Sequence, residues 1–409
     1  MKSTSIYLYV VISIISSVTL GGYFLENIGI PYVSNGGPAF VKIHIYAYTI
    51  MFSFAIVTLK LGPRWFELSL GKLNSIWYVS ILSLLFVVVY GFVRHGTSGM
   101  AYLINTFLSP LLLIPLLSII SKDQASKLQK LIAYLILINS IIAIIAIIEY
   151  LLHFRVVNVE FNSFSFFRST ALLTHPLNNA LITASLAILI FNRSVVPSFL
   201  YVLIILLSLF SFGGRAALVI FSVTVFLYCL PVLWRFCTTG VNGDKFKISM
   251  LLLLGYFSLL IFIFVLIDSN ISDRIMSKLY IDSSASARID VFYLFEQLSI
   301  SEWIFGASDR LLESIELYIG IKVIENYIIG WIFTFGLLGM IPLTVCVFLP
   351  MFFFAINGRY SDKLAMMTFF VISLTNNSLT TKTPVLLLFL CILYLRYKEC
   401  QDETKSINY

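Results

Sequence analysis

Long apolar runs alternate with short polar connections along almost the whole chain. Each run approaches the roughly 20 residues that an α-helix needs to cross a bilayer, and its apolar positions are continuous, as in membrane helices. Twelve spans are predicted, at approximately 6–24, 41–60, 74–93, 100–120, 129–150, 171–191, 197–212, 216–234, 248–267, 326–355, 363–380 and 383–396. The pattern predicts an all-α, polytopic membrane protein with a single transmembrane domain over 1–409, whose first helix is retained and not cleaved as a signal peptide.

One long hydrophilic segment, 268–322, interrupts this pattern between the ninth and tenth spans. Its residues 286–299 place apolar side chains at helical spacing, with Ser286 in position to cap that helix. A second short helix is predicted over 309–318, and the apolar sequence 303–306 is predicted to form a turn at the membrane interface. We therefore expect 268–322 to fold as a helical lid on one face of the membrane.

Composition and motifs narrow the classes of function. Charged residues make up 11% of the chain, against about 25% in typical soluble proteins. None of the five cysteines lies in 268–322, and no CxxC or Cys/His spacing occurs, so we expect neither disulfides nor a structural metal. The sequence has no P-loop, GxGxxG or metal-binding carboxylate pair. A nucleotide, a metal ion or another cofactor is therefore not expected.

The distribution of basic residues predicts a topology. With a cytoplasmic N-terminus, the cytoplasmic loops and tails hold sixteen Lys and Arg residues and the opposite short loops hold six, leaving aside the long segment. This bias follows the positive-inside rule and places both termini in the cytoplasm, with 268–322 facing outward. The net charge of +7 is explained by this topology, so a nucleic-acid partner is not expected.

Arg215 is the first residue with predicted chemistry. It follows Gly213 and Gly214 in a very short outward turn, where glycines allow a tight reversal. A charge at this depth is costly unless it has a partner or meets water, and its outward position opposes the charge bias. Two interpretations are therefore open: a role in binding an anion, and a snorkelling arginine that caps a helix end.

Arg288 lies near the start of the predicted lid helix. A helix N-terminus favours anions, so a cation gains nothing there from the helix dipole. Arginine binds phosphate oxygens through its planar, bidentate fork, which favours a phosphate-binding role. The alternative is a weak surface ion pair with Asp290 or Asp282.

Arg168 and His175 precede the sixth predicted span. Pro176 suits the first position of a helix, so Thr174 or His175 is predicted to cap it. Arg168 is interpreted either as a headgroup anchor or as an additional phosphate contact.

Carboxylates at two predicted outward helix ends are candidates for proton transfer. Glu325 opens the tenth span, where the helix dipole already favours an anion, but a carboxylate facing a cleft could also deprotonate a hydroxyl. Glu149, near the outer end of the fifth span, has the same two interpretations. Lys42 and His44, placed inside the second span, are interpreted as a snorkelling residue and an interhelical hydrogen-bonding residue.

Several segments together resemble the superfamily of O-antigen polymerases and O-antigen ligases, over roughly residues 100 to 396. The matching segments are Arg168 to Pro176, Gly213-Gly-Arg-Ala-Ala-Leu, Ser286-Ala-Arg-Ile-Asp, Trp303-Ile-Phe-Gly and Glu325-Asn-Tyr-Ile-Ile-Gly-Trp-Ile-Phe-Thr-Phe-Gly-Leu-Leu-Gly. The resemblance implies a GT-C-like membrane glycosyltransferase. It also implies two functional arginines, which correspond to Arg215 and Arg288 and hold the donor diphosphate as it leaves.

The branch of the superfamily is suggested by one position. A ligase is expected to carry a histidine where this sequence has Glu325, and the departure favours a polymerase with Glu325 as the base. Further substrate-binding residues are then predicted to be Arg168, His175, Arg274, Asn326 and Tyr327.

The sequence thus predicts polymerisation of undecaprenyl-diphosphate-linked oligosaccharide repeat units at the outer face of a bacterial inner membrane. Expected partners are the lipid-linked donor and acceptor, the bilayer, a chain-length regulator and a flippase. One alternative is a ligase that transfers polymer to the lipid A core. The other is a lipid-linked-oligosaccharide flippase, but the chain shows no internal repeat of the kind common in transporters.

Overall fold

The computed structural model describes residues 3–34, 38–96, 100–123, 125–157, 167–173, 175–190, 196–239, 256, 294–313, 324 and 326–407. The ninth predicted span, apart from residue 256, and most of the predicted lid lie outside these ranges. Three predicted site residues, Arg274, Arg288 and Glu325, also lie outside the described residues.

All regular structure in the described ranges is helical. The α-helices, numbered in chain order, are α1 (Ser3–Thr19), α2 (Gly22–Asn27), α3 (Ile45–Leu61), α4 (Trp65–Leu70), α5 (Asn74–His95), α6 (Ser109–Asp123), α7 (Ala125–Leu152), α8 (Pro176–Ile190), α9 (Ser198–Ser211), α10 (Arg215–Thr239), α11 (Ile300–Phe305), α12 (Tyr327–Ile356), α13 (Tyr360–Ser373) and α14 (Val385–Ile407). Short 3-10 turns form at Ala39–Lys42, Gly71–Leu73, Leu294–Gln297 and Ser378–Thr380, and a π-helical turn, Leu103–Leu108, leads into α6.

Four helical stretches of the described chain are long and apolar enough to cross a membrane. They are Trp65–His95, Leu103–Ile120, Ser126–Leu152 and Tyr327–Ile356. Five shorter apolar helices accompany them, at Ser5–Thr19, Ile45–Leu61, Pro176–Ile190, Ser198–Ser211 and Arg215–Pro231. The predicted all-α class with apolar, membrane-type helices is confirmed for the described ranges, and the number of twelve spans stays a prediction.

The bundle is apolar outside as well as inside. Helix α8 is buried along nearly its whole length, as is the first half of α14. Helices around them bury one face and leave large apolar side chains exposed on the other, among them Leu8 and Ile12 in α1, Leu82 and Val93 in α5, Leu137 and Leu151 in α7, and Val219 and Phe226 in α10. Apolar surface on this scale marks a face covered by lipid or by another protein.

Two predicted span boundaries are wrong, since α13 ends earlier and α3 begins later than predicted. Helix α13 ends at Ser373, and the predicted span over 363–380 breaks where Asn376 accepts a hydrogen bond from the backbone of Ser378. Lys42 and His44 lie outside helix α3. His44 caps α3 through Tyr46 N, and its Nε2 contacts the carbonyl of Leu20 just after α1, so its hydrogen bond joins the ends of two helices and does not lie within the second span.

Helix α12 is broken about a third of the way along. Gly336 has φ 65° and ψ −174°, a conformation that only glycine adopts readily. A Cβ at this position would lie 2.2 Å from the carbonyl oxygen of Ile304, so α11 packs directly into the break. The break frees two backbone carbonyls for other hydrogen bonds: Phe333 O accepts from Ala307 N, and Thr334 O is bonded to His95 Nε2. The long tenth span is therefore discontinuous, which its apolar sequence did not predict.

The hydrogen bonds made by the segments that connect the helices lie at the two ends of the bundle. At one end, hydrogen bonds join Lys382 to Tyr32, Thr106 to Thr381, Ser378 to Asn178, Arg94 to Gly306 and Ser169 to Ser211. At the other end they join Tyr78 to Glu67, Ser118 to Ser69, Arg359 to Glu403 and Arg396 to Asp362. We call the first the site end, because Arg168 and Arg215 lie there.

Candidate functional site

The turn between α9 and α10 is the structural centre of the site. Helix α9 ends at Ser211, and the chain reverses through Gly213, whose φ of 68° suits glycine. Arg215 is the first residue of α10, and its side chain is exposed. Gly214 packs closely against α8, since a Cβ on it would lie 2.8 Å from the Cβ of Ala180. The predicted tight corner is thus present, with Arg215 at the edge of the bundle.

Arg168 lies against the same turn. Its Cδ and Nε atoms are both 3.1 Å from the position that a Cβ on Gly213 would occupy. The backbone secures this contact, because Ser169 N donates a hydrogen bond of 3.0 Å to Ser211 O at the end of α9. Two of the predicted site arginines, distant in sequence, are therefore brought to one corner.

Glu149 anchors the segment of the chain that carries Arg168. It is fully buried near the end of α7, and its Oε2 accepts hydrogen bonds from Thr170 N at 2.8 Å and Ala171 N at 2.9 Å. Its Oε1 accepts from Val156 N at 2.8 Å. A buried carboxylate that accepts three backbone hydrogen bonds holds the bonded segments of the chain in place. Of the two interpretations of Glu149, the geometry favours the structural one.

His175 caps α8, as its position before Pro176 predicted. The helix begins at Pro176, and His175 Nδ1 accepts a hydrogen bond from Leu177 N at 3.3 Å. Burial, together with the positive charge of Arg168, lowers the pKa of His175 to about 4. Its imidazole is therefore neutral near pH 7, and its contribution at the corner is polar and not cationic.

Asn179 ties this cap to the Arg168 segment. Its side-chain amide donates to the carbonyls of Thr170, Leu173 and His175, and the residue has no exposed surface. The segment preceding α8 is thus held by hydrogen bonds to both Asn179 and Glu149. Sequence reasoning did not identify Asn179, although a pair of asparagines in the first turn of an apolar helix is a visible signal.

A third arginine, Arg155, joins the corner. Its Nε donates to Arg168 O at 3.3 Å, and its guanidinium carbon lies 4.9 Å from the centre of the Phe167 ring. In the predicted topology, Arg155 is one of the six basic residues in the short outward loops. Its sequence signal is the same one that marked Arg215, a cation on the side that the charge bias disfavours.

Asn326 and Tyr327 open α12 in structural roles. The Oδ1 atom of Asn326 accepts from Ile328 N and Ile329 N, so its side chain caps the helix. Tyr327 is fully buried, with its ring edge-on to Trp331 at 4.7 Å. Their predicted substrate contacts stay predictions, as do the roles of Arg274, Arg288 and Glu325.

The described part of the predicted lid contains a short helix with a capping interaction at its start. Ser299 and Glu302 form a reciprocal capping box at the start of α11. The sequence 303–306 was predicted to form a turn, but 303–305 form the end of a short helix and Gly306 is its C-cap. The helix predicted over 286–299 does not extend to Ser299, because Leu294–Gln297 form a 3-10 turn. Within the described ranges, α11 is held by Arg94, which donates to the carbonyls of Gly306 and Ala307.

The corner is suited to an anion that arrives from the lipid phase. It presents guanidinium groups at the edge of a bundle whose flanks are apolar, and guanidinium forks match the geometry of phosphate oxygens. Among the described residues, no group of three or more His, Cys, Asp or Glu side chains is placed to hold a metal ion. No protein-family model matches the sequence, and no curated protein matches it.

Proposed function

We propose that this protein is a membrane glycosyltransferase that polymerises oligosaccharide repeat units carried on undecaprenyl diphosphate, at the outer face of a bacterial inner membrane. The supporting observation is the contact of Arg168 with the Gly213 turn that presents Arg215. This contact concentrates positive charge at one corner of an otherwise apolar bundle. A lipid-borne diphosphate is the ligand whose charge and apolar tail match that combination.

The proposed reaction joins two lipid-linked glycans. A hydroxyl oxygen of the acceptor repeat unit attacks the anomeric carbon of the donor glycan, and the bond from that carbon to the donor diphosphate breaks. The hydroxyl proton goes to Glu325, and undecaprenyl diphosphate leaves with the bonding electron pair. The glycan, one linkage longer, remains on the acceptor carrier, and the anomeric centre is inverted.

The arginines supply charge stabilisation in this scheme. Arg215 and Arg288 hold the diphosphate as negative charge develops on it, and Arg168 adds a further phosphate contact. Cations fixed before the reaction stabilise the leaving group without reorganisation. Glu149 and Asn179 fix the Arg168 segment in place, so they act as positioning residues.

The ligase alternative uses the same donor and differs in the acceptor, a lipid A core. The experiment that separates them is a deletion strain of the source bacterium, with its surface polysaccharide resolved by gel. Single repeat units on the cell surface are expected when a polymerase is lost, whereas a missing ligase leaves long polymer on its carrier and none on the surface. Unchanged chain length and unchanged attachment would refute both enzymes.

A further inference from the structure

A second basic site lies at the site end, away from the arginine corner. Lys42 precedes α3 and Lys382 precedes α14, yet both ammonium groups bind the same loop. Lys42 donates to the carbonyls of Pro31 and Ser34, and Lys382 donates to the carbonyl of Tyr32. Two lysines from opposite ends of the sequence thus converge on neighbouring carbonyls.

A buried polar network fixes both lysine-bearing segments. Asn105 has no exposed surface and lies in the π-helical turn Leu103–Leu108, a kind of distortion that is frequent at functional sites. Its amide donates to Lys42 O at 2.9 Å and to the Tyr32 hydroxyl at 3.2 Å. The geometry of Lys42 is therefore set from the core of the bundle.

Thr106, next in the same turn, fixes the segment of Lys382. Its hydroxyl donates to Thr381 O at 2.7 Å and accepts from Thr383 N at 3.2 Å. These bonds fall on the residues immediately before and after Lys382. One π-helical turn therefore holds both lysines, through adjacent residues.

The charges of this cluster do not balance. Glu26 is the nearby carboxylate, and its two oxygens accept backbone bonds from Val33 and Ser34. Among the described residues, neither ammonium forms a salt bridge with a carboxylate. Burial, together with the charge of Lys42, lowers the pKa of Lys382 to about 8, although the charge of Glu26 acts in the opposite direction. Both lysines interact with Glu26, so the two cations and this carboxylate leave a net positive charge, which a bound anion would offset.

Donor capacity remains for such an anion. An ammonium has three N–H donors, of which Lys42 directs two and Lys382 one to carbonyls of the loop. Three donors are left between the two lysines for phosphate oxygens. Tyr32 adds an aromatic face 4.5 Å below the Lys382 ammonium, which keeps that group in place.

We propose that Lys42 and Lys382 bind the diphosphate of the second lipid-linked substrate, the acceptor, while the arginine corner binds that of the donor. The proposal rests on the proposed function, since a polymerase must hold two carrier lipids at once. The segment after α13 spans both sites. The Ser378 hydroxyl donates a hydrogen bond of 2.6 Å to Asn178 Oδ1, and Asn178 lies three residues after His175 in the sequence. Lys382 lies four residues after Ser378.

The test counts bound carrier lipids. The full-length protein, in nanodiscs of phosphatidylcholine, is titrated with undecaprenyl diphosphate and examined by native mass spectrometry. The wild type is expected to bind two molecules. Lys42→Gln with Lys382→Gln keeps an amide donor for the loop and should bind one, with the second site weakened about ten- to hundredfold. The matched control, Lys60→Gln at the opposite end of α3, should bind two.

Two further arms identify the ligand and separate the proposals. Phosphatidylglycerol and inorganic diphosphate should displace undecaprenyl diphosphate from the lysines only at concentrations much higher than that of the carrier. Displacement by either compound at a concentration equal to that of the carrier would overturn the carrier assignment. Two bound carriers in the double variant, at unchanged affinity, would also overturn it, even if polymerisation is demonstrated. Loss of one carrier in the double variant but not in Arg215→Met would support the lysine site, even if the polymerase assay failed.

Discussion

The Arg168 side chain occupies the space that a Cβ on Gly213 would need, with Cδ and Nε both 3.1 Å from it. The absence of a side chain at Gly213 therefore helps to let Arg168 lie against the turn that leads to Arg215. Glycine is required here twice, for its positive φ and for the space that it leaves. This relationship gives the first test of the site.

Gly213→Ala is expected to reduce polymer formation by displacing Arg168. The matched control is Gly62→Ala, whose φ of 82° is also positive but whose Cβ would meet nothing within 4 Å. Both variants should lose about 1–3 kcal/mol of stability through backbone strain, whereas only Gly213→Ala should lower activity. Thermal unfolding in detergent and a polymerisation assay measure the two effects. Equal activity in the two variants would show that the Arg168 contact has no functional role.

Glu149→Gln is expected to destabilise the fold and loosen the Arg168 segment. Its amide nitrogen would face a backbone N–H that now donates to a carboxylate oxygen, leaving buried donors without an acceptor. A cost of about 1–3 kcal/mol is expected. The control is Glu67→Gln, which accepts a single bond from the Tyr78 hydroxyl and should cost about 0.5 kcal/mol or less.

The measurement for this pair is the unfolding free energy in mixed micelles. Similar values for the two variants would contradict the anchoring role of Glu149.

Ala171→Gly is expected to be tolerated although Ala171 is fully buried. Its φ of 44° is strained for alanine and relaxed for glycine. The control is Ala180→Gly, at a buried helical position in α8, where glycine costs about 1 kcal/mol from helix propensity alone. We expect Ala171→Gly to cost at least about 1 kcal/mol less than Ala180→Gly in the same unfolding measurement. Equal costs would contradict the strained conformation at Ala171.

Acidification is expected to loosen the first turn of α11. The Ser308 hydroxyl and the backbone N–H groups of Ser299 and Ser308 lower the pKa of Glu302 from 4.5 to about 2. Because the pKa is lower in the folded state, the carboxylate stabilises α11 above pH 4.5, and this contribution is lost as the pH falls from 4.5 towards 2.

The measurement is ¹⁹F NMR of protein labelled with 5-fluorotryptophan, following the resonance of Trp303. The Trp303 ring stacks on the Phe295 ring with 4.9 Å between the ring centres, so loosening of α11 changes the surroundings of Trp303. The resonance should move between pH 4.5 and 2 in the wild type, and this step should be absent in Glu302→Gln. A transition above pH 5, or one shared by the variant, would contradict the assignment.

Local chemistry was predictable from the sequence, and long-range contacts were not. The Gly213–Gly214 reversal, the start of α8 at Pro176 and the apolar helices follow from residue type and hydropathy. The contact of Arg168 with Gly213 and the bonds from Thr170 and Ala171 to Glu149 join residues far apart in sequence, and a single sequence carries no signal for such pairings. The break at Gly336 was missed for the same reason, since α11 packing into it is a tertiary event.

The most direct test of the proposed function is polymerisation by the purified protein. The full-length chain is reconstituted in liposomes with undecaprenyl-diphosphate-linked repeat units from the source bacterium, and products are resolved by gel while released undecaprenyl diphosphate is quantified. We expect a ladder of polymer, one carrier diphosphate released per linkage, and loss of both in folded Arg215→Ala and Arg288→Ala. Repeat units left unjoined by the folded wild type, or an unchanged ladder in both variants, would contradict the account.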